Sequence, residues 1–222
     1  MTGEKSKDQK KNPISIYQRL HRAKICLKHF SANQGRIGDL MLSSTGYPAT
    51  LLSALLATRA PGLSGNLKSL SAAISDYRMF WRVFHTPATI EWALDLLLDN
   101  KQSDGLLRWS DYIQAVSGVG YQVLEDVAYL AMKGVLPISS ARQADIWVVS
   151  CLFWLVHVAL ELLKAAYFRI SKKPVNSLNL LVNLAWAPLT VHWSTYTGLF
   201  EPQWVGLLGS IACVPRLIAA LR

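Results

Sequence analysis

Charged side chains are scarce in this chain of 222 residues. Asp, Glu, Lys and Arg together make up 17% of the sequence, whereas an ordinary soluble domain contains roughly 25%. Hydrophobic residues make up 51%, and the mean hydropathy is +0.23. This balance favours an integral membrane protein over a soluble enzyme.

Cysteine is also rare, with only Cys26, Cys151 and Cys213 in the whole chain. Three widely separated cysteines cannot build a disulfide framework or a cysteine-based metal site. The five histidines do not have the spacing of metal ligands either. We therefore expect no metal site.

The motifs that usually mark catalysis and cofactor binding are missing. The sequence contains no Gly-x-Ser-x-Gly elbow, no Gly-x-x-x-x-Gly-Lys phosphate loop, no His-Glu-x-x-His and no dinucleotide fingerprint. The neighbouring carboxylates Glu125 and Asp126 have no nucleophile or base close to them in the sequence. We expect no catalytic residue and no cofactor, so the chain is predicted not to be an enzyme.

Positive charge is present, but it is unevenly distributed. The formal net charge is +9, and 15 of the 23 Lys and Arg residues precede position 110. A basic half of this kind could bind nucleic acid or anionic lipid. Because the other half is apolar, we expect an anionic lipid membrane to be the partner and no nucleic acid.

Residues 13–30 are predicted to form the first amphipathic helix, starting at Asn12-Pro13. Their apolar residues recur at steps of three and four, and basic residues lie on the other faces. Contact with a membrane and a solvated face over a small core are both compatible with this pattern.

A stronger stripe covers residues 67–84. Its apolar members alternate steps of three and four, and three cations are predicted to lie along one border of the stripe. Basic side chains at such a border can reach lipid phosphates while the aromatic rings sink into the acyl boundary. The predicted membrane-binding residues are Leu67, Lys68, Leu70, Ile74, Tyr77, Arg78, Trp81, Arg82 and Phe84.

Four apolar runs follow, at 112–136, 146–168, 178–200 and 204–221. About 20 apolar residues are needed to cross a bilayer. Run 178–200 meets this length, 146–168 nearly does, and the other two are marginal. The predicted fold is all-α, with a cytosolic basic amphipathic-helix region at 1–110 and a membrane-embedded bundle of two to four helices at 111–222.

The distribution of charge predicts the orientation of these runs. Cytosolic segments tend to carry excess Lys and Arg. Four crossings place both termini and the basic turn 169–174 in the cytosol, with the nearly neutral loop 137–145 facing the lumen.

Several polar residues fall within the apolar runs, namely Glu125, Asp126, His157 and Glu161. Ionisable groups inside a membrane are costly and usually have a partner. Counting along the runs from opposite ends predicts that Glu125 and His157 meet in an antiparallel hairpin, with Asp126 as the second choice. The same residues leave open the alternative of a small-metabolite channel or transporter.

Three blocks of the sequence resemble a known family. They are Ser-Asp-Tyr-Arg-Met-Phe-Trp-Arg at 75–82, Tyr-Gln-Val-Leu-Glu-Asp-Val-Ala-Tyr-Leu at 121–130 with Lys-Gly-Val-Leu at 133–136, and Leu-Glu-Leu-Leu at 160–163 after Trp154. Together they are similar to the peroxisomal biogenesis factor 11 family, particularly its fungal branch. The family's Gly-Arg-Asp-Lys element is represented here by Gly-Tyr-Pro-Ala at 46–49, which indicates a divergent member.

The resemblance implies a peroxisomal membrane protein that elongates and remodels the membrane before fission. It also implies an amphipathic helix that inserts into anionic lipid, which corresponds to residues 67–84 here. The implied partners are the fission machinery, including a dynamin-like GTPase, and a second copy of the chain in a homo-oligomer.

Overall fold

The computed structural model describes residues 38–98 and 101–221, and every regular element in these ranges is a helix. The predicted all-α class is therefore confirmed. The helices are α1 (38–56), α2 (Pro61–Val83), α3 (Thr86–Leu98), α4 (Gly105–Met132), α5 (Ser140–Ile170), α6 (Ser177–Trp193) and α7 (Pro202–Ala220). The helix predicted at 13–30 lies outside the described residues.

Polar caps fix the starts of three of these helices. The side chain of Asp104 accepts hydrogen bonds from the amides of Leu106 and Leu107, and so caps α4. Ser139 and Asn176 accept equivalent bonds at the starts of α5 and α6. Such caps satisfy amide groups that have no partner within the helix.

Helices α4 and α5 form an antiparallel hairpin. Lys164 of α5 donates to Asp111 of α4 at 2.6 Å, and Ser150 donates to the carbonyl of Tyr121 at 3.0 Å. The residue numbers of the contacting pairs increase along α4 as they decrease along α5, so the two helices are antiparallel. The predicted hairpin of these two helices is confirmed.

Helix α6 runs antiparallel to both of its neighbours. Asn179, near its start, donates to Glu161 of α5 and accepts from Arg216 near the end of α7. Tyr196, just beyond the end of α6, donates to Asp145 near the start of α5. Helices α5 and α7 consequently run parallel to each other.

Two helices in the described part of the chain are long and apolar enough to cross a membrane, α5 and α7. The uncharged run 178–200 is longer than the helix within it, because α6 has only 17 residues. At about 1.5 Å per residue it is about 25 Å long, against ~30 Å for a hydrocarbon core. Helix α6 therefore lies at the short end of the lengths that can cross a bilayer, and the rest of run 178–200 belongs to the turn that follows it.

A histidine shapes the turn that follows α6. The ring nitrogen Nδ1 of His192 accepts from the amides of Leu199 and Phe200 at 2.7 and 2.9 Å. Gly198, in this turn, has a φ of +71°, which glycine adopts without strain. These contacts fold residues 194–201 back instead of extending the helix.

The predicted domain boundary at residue 110 falls inside α4, which is continuous from Gly105 to Met132. Residues 39–222 form one compact unit. Within that unit α1 and α2 form an antiparallel hairpin, in which Thr50 contacts Ser71 and Ser53 bonds to Ser64. Position 110 is thus not the end of a helix, and whether the part before it lies in the cytosol stays a prediction.

Two glycines let α7 approach α1 closely. A Cβ atom at Gly206 would lie 2.5 Å from the backbone nitrogen of Leu51, and one at Gly209 would lie 2.2 Å from the Tyr47 ring. Both glycines are buried. A side chain at either position would force the helices apart.

We predict that Gly206→Ala lowers the free energy of unfolding by about 1–3 kcal/mol, because overpacking displaces the α1 backbone. Thermal unfolding of the full chain in detergent measures the change. Gly62→Ala is the matched control, since a Cβ there has no neighbour within 4 Å. Equal effects of the two substitutions would contradict the close packing of α1 and α7.

Candidate functional site

Helix α2 presents a continuous apolar face to its surroundings. Among the predicted membrane-binding residues, Leu70, Tyr77, Trp81 and Phe84 are 45%, 51%, 39% and 65% exposed. Leu63 and Phe80 belong to the same face and are also exposed. The spacing 63–70–77–84, two helical turns at each step, could have revealed Leu63 from the sequence.

The two remaining apolar members of the predicted stripe point elsewhere. Ile74 is buried, and its side chain lies against Gly46 of α1. Leu67 is half-buried. The packed side of α2 therefore overlaps one edge of the predicted stripe, and Ile74 belongs to the protein core.

The two arginines of the stripe also face inward. Arg78 donates to Asp39 of α1 at 2.8 Å. Arg82 pairs with Glu125 of α4 at 3.0 Å and donates to the hydroxyl of Tyr121 at 2.6 Å. The expectation that both arginines line the border of a lipid-facing stripe is wrong, because carboxylates on α1 and α4 bind them. The third predicted cation, Lys68, is exposed.

A hydrogen-bonded network joins the end of α2 to α4. Tyr121 donates to Glu125 at 2.9 Å, on the carboxylate oxygen that also pairs with Arg82. The neighbouring Asp126 accepts from Thr86 at the start of α3 and from Gln122 at 2.8 Å. Glu125 and Asp126 are both buried, so each carboxylate has its partners inside the protein.

The other two predicted polar residues belong to a second network, at the far end of α5. Gln114 donates to Glu161 at 2.8 Å, and Lys164 donates to both Asp111 and Gln114. The ring of His157 lies beside Trp92, with centroids 6.1 Å apart. The sequence analysis did not assign Asp111, Gln114 and Lys164 to a site. Lys164 lies three residues after Glu161, so its helical spacing was a usable signal, whereas Asp111 and Gln114 are far in sequence from the predicted residues.

The predicted contact between Glu125 and His157 is wrong. The bond from Ser150 to Tyr121 sets the register of α4 and α5. His157 is two turns further along α5 than Ser150, about 10 Å away, while Glu125 lies one turn beyond Tyr121 in the opposite direction. The prediction failed because both helices begin earlier than their apolar runs.

Helix α4 has its polar side inside and its apolar side outside. The residues buried on it include Gln114, Ser117, Gln122, Glu125 and Asp126. Those exposed include Leu106, Trp109, Ile113, Val116 and Val123, at steps of three, four and seven. A soluble helix shows the opposite arrangement, whereas polar residues of membrane helices face the bundle interior.

An exposed ion pair ties α2 to the end of α4. Lys133 and Asp76 approach to 2.5 Å, and the hydroxyl of Tyr129 donates to the same carboxylate at 3.3 Å. The hydrogen bond from Lys133 holds the pKa of Asp76 below its ordinary value, against a smaller opposing effect of burial. Asp76 therefore remains ionised at neutral pH.

Comparison with known proteins gives a consistent result. The family model described as peroxisomal biogenesis factor 11 matches residues 26–179. An uncharacterized protein of Schizosaccharomyces pombe is 29% identical over 104 residues, which cover 46% of this chain and 54% of that protein. The chain thus spans about half the length of that relative. No solved structure matches.

Two longer matches are to proteins named peroxisomal membrane protein 11C. The one from Mus musculus is 24% identical over 220 residues, covering 84% of this chain and 90% of that protein. The one from Homo sapiens is 24% identical over 217 residues, covering 83% and 89%.

For the network that joins the end of α2 to α4, we predict a coupling energy of about 1–3 kcal/mol between Arg82→Met and Glu125→Gln, measured in a double-mutant cycle on the free energy of unfolding. Each single change leaves a buried polar partner without its bond. The comparison cycle of Glu125→Gln with His157→Ala should be additive within ~0.5 kcal/mol. Coupling between Glu125→Gln and His157→Ala, together with additivity between Arg82→Met and Glu125→Gln, would indicate that Glu125 contacts His157. The register of α4 and α5 described here would then be wrong.

Proposed function

Because this chain belongs to the peroxisomal biogenesis factor 11 family, whose members are peroxisomal membrane proteins involved in peroxisome biogenesis, we propose that it remodels and elongates the peroxisomal membrane. Elongation of this kind promotes peroxisome proliferation and prepares the organelle for fission. The family membership gives the compartment and the process, and the geometry of α2 suggests the mechanism.

The exposed apolar face of α2 is the observation that carries this proposal. The rings of Tyr77 and Trp81 stack on each other and that of Phe84 lies against Phe80, yet all of these large rings remain exposed in the described part of the chain. Contiguous exposed apolar surface of this size is typical of a membrane or protein contact. Rings inserted into one leaflet occupy area in that leaflet alone, and binding of this kind depends on curvature.

The parallel arrangement of α5 and α7 supports a four-helix embedding. If both cross the bilayer, α6 has to return the chain between them, and α4 crosses beside α5 with its apolar side toward lipid. The turn with Arg169, Lys172 and Lys173 then shares one side with the C-terminus. By the tendency of basic segments to remain cytosolic, we assign that side to the cytosol.

The N-terminus is assigned to the same side. Helix α1 runs antiparallel to α7, since Tyr47 lies at Gly209 while Leu51 lies at Gly206. The chain therefore enters α1 from the end at which α7 finishes. In this arrangement α1 to α3 flank the embedded bundle instead of forming a separate cytosolic domain.

The partners follow from the same proposal. Anionic lipid is the expected surface, fission factors including a dynamin-like GTPase act on the elongated membrane, and a homo-oligomer would concentrate the inserted faces. Nucleic acid has no place in this account.

We predict that Tyr77→Ser combined with Phe84→Ser abolishes peroxisome elongation, because each ring loses about 1.5–3 kcal/mol of transfer free energy to lipid. Counting and measuring fluorescently labelled peroxisomes in cells that lack the native protein is the assay. Ala72→Ser is the control, at an exposed position about 140° around the helix from Tyr77. Normal elongation by the double variant at equal abundance would rule out the lipid role of this face.

The orientation is tested separately by cysteine accessibility on intact organelles. A cysteine introduced at Ser171 should react with an impermeant reagent, whereas one at Ser139 should react only after the membrane is opened. Labelling of position 139 but not of position 171 would reverse the assignment.

A small-metabolite channel or transporter is the second candidate function. The network of Asp111, Gln114, Glu161 and Lys164 borders cavities of about 320 and 360 Å³ that are also lined by Asn179. Polar residues at membrane depth commonly line solute pathways. Solute flux across bilayers that contain this protein alone would favour this candidate.

A further inference from the structure

A cavity of about 330 Å³ lies directly behind the exposed face of α2. Its volume is at the small end of the range for ligand pockets, ~300–1,000 Å³. Helices α1, α2, α4, α5, α6 and α7 all contribute to its lining. The aromatic residues that line it are Tyr47, Tyr121, Trp147, Trp154, Trp186 and Trp193.

Three of the indoles form a contiguous aromatic wall. The ring centroid of Trp154 lies 5.2 Å from that of Trp186 and 5.5 Å from that of Trp193. Trp186 and Trp193 are 6.3 Å apart. Indole faces attract cations more strongly than the faces of other aromatic side chains.

The charged lining of the cavity is balanced. Arg78 is neutralised by Asp39, and Arg82 by Glu125. Two polar atoms of the cavity-lining residues remain unused, since Nε of Arg82 and Oε2 of Glu125 are buried without a hydrogen-bond partner in the described part of the chain. Arg82 and Glu125 both line the cavity, so they supply it with one unused donor and one unused acceptor, while the two ion pairs keep the local net charge close to zero.

We propose that this cavity holds the headgroup of a phospholipid whose phosphate is linked to a primary ammonium group, that is, a phosphoethanolamine headgroup. The phosphate accepts from Arg82 and lies near Arg78, one turn away on α2. The ammonium donates to Oε2 of Glu125 and lies against the indole wall.

The balance of charge selects a zwitterion over a net anion. A net anion would satisfy the arginine and leave the buried carboxylate oxygen unpaired, which is unfavourable inside a protein. A trimethylammonium group would suit the indoles but has no hydrogen to donate to Glu125. A primary ammonium meets both requirements.

The α2 residues that line the cavity adjoin the exposed apolar face of the same helix. Arg78 and Arg82 directly follow Tyr77 and Trp81, which belong to the face that we propose lies in lipid. The inference rests on that proposed function for access from the membrane. The acyl chains would lie outside the cavity, in the surrounding membrane or micelle, since the cavity has room for a headgroup and little more. Chains anchored there hold the headgroup close to the cavity, so a headgroup without chains should bind more weakly.

The test uses the full chain in detergent micelles and dihexanoyl phosphatidylethanolamine as the probe, with the thermal-unfolding midpoint as the readout. We expect a saturable rise, with about tenfold weaker binding of dihexanoyl phosphatidylcholine and of chainless glycerophosphoethanolamine. Equal responses to the ethanolamine and choline lipids would overturn the proposal. Equal binding of the chainless compound would overturn the assignment to a lipid.

A pair of isosteric variants locates the site. Glu125→Gln should remove the preference for ethanolamine over choline, whereas Asp126→Asn should retain it. Asp126 is the adjacent buried carboxylate, but it bonds to Thr86 and Gln122 and does not line the cavity. Retention of the preference in folded Glu125→Gln contradicts the proposal, and the wild-type comparison of headgroups decides the matter if that variant does not fold.

Membrane elongation and headgroup preference are measured separately, so the proposed lipid site and the proposed function can fail independently. The variant with Tyr77→Ser and Phe84→Ser should lose membrane elongation and keep its headgroup preference in micelles. If elongation depends on those rings but wild-type protein shows no headgroup preference, the cavity assignment falls and the remodelling proposal stands.

Discussion

The buried polar side of α4 is the constraint on which the rest of the structure depends. Its carboxylates Glu125 and Asp126 need partners, and those partners come from α2 and α3 through Arg82 and Thr86. About three turns earlier on α4, Gln114 bonds to Glu161 and Lys164 and so holds α5 in place. A helix that buries its polar groups leaves its apolar groups outside, and a bilayer is the surrounding in which such an exterior is stable.

This arrangement also explains why α2 presents the face that it does. Asp39 and Glu125 bind the two arginines of α2, so the flank that carries them faces the protein interior. Ile74 is buried on the same flank. The opposite flank, with Tyr77 and Phe84, is left outside. Buried ion pairs add little net stability because their desolvation is costly, but removing one partner is strongly destabilising. Their effect here is to determine which face of α2 points outward.

Much of this could be predicted from the sequence. Helical periodicity located α2, and the length of uncharged segments located α5 and the α4–α5 hairpin. The direction of Arg78 could not be predicted, since a helical wheel gives the angle of a residue and not the neighbour that Asp39 supplies. The contact between Glu125 and His157 was misjudged because both apolar runs begin six or seven residues later than their helices. In the observed register the two residues lie about 16 Å apart along the helix axes. The early end of α6 could not be predicted, because the turn that follows it carries no charge and therefore looks like part of the same apolar run. That turn is held by hydrogen bonds to His192.

The proposed embedding requires that α4 lie in the membrane with its polar side inward. Nitroxide labels at Val116 and Val123, introduced one at a time in reconstituted protein from which the three native cysteines have been removed, test this requirement. Both positions are exposed on the apolar side of α4. We expect both labels to collide more often with dissolved oxygen, which concentrates in lipid, than with a water-soluble nickel chelate. Preferential collision with the chelate at both positions would show that α4 faces water, and the proposed embedding would be wrong.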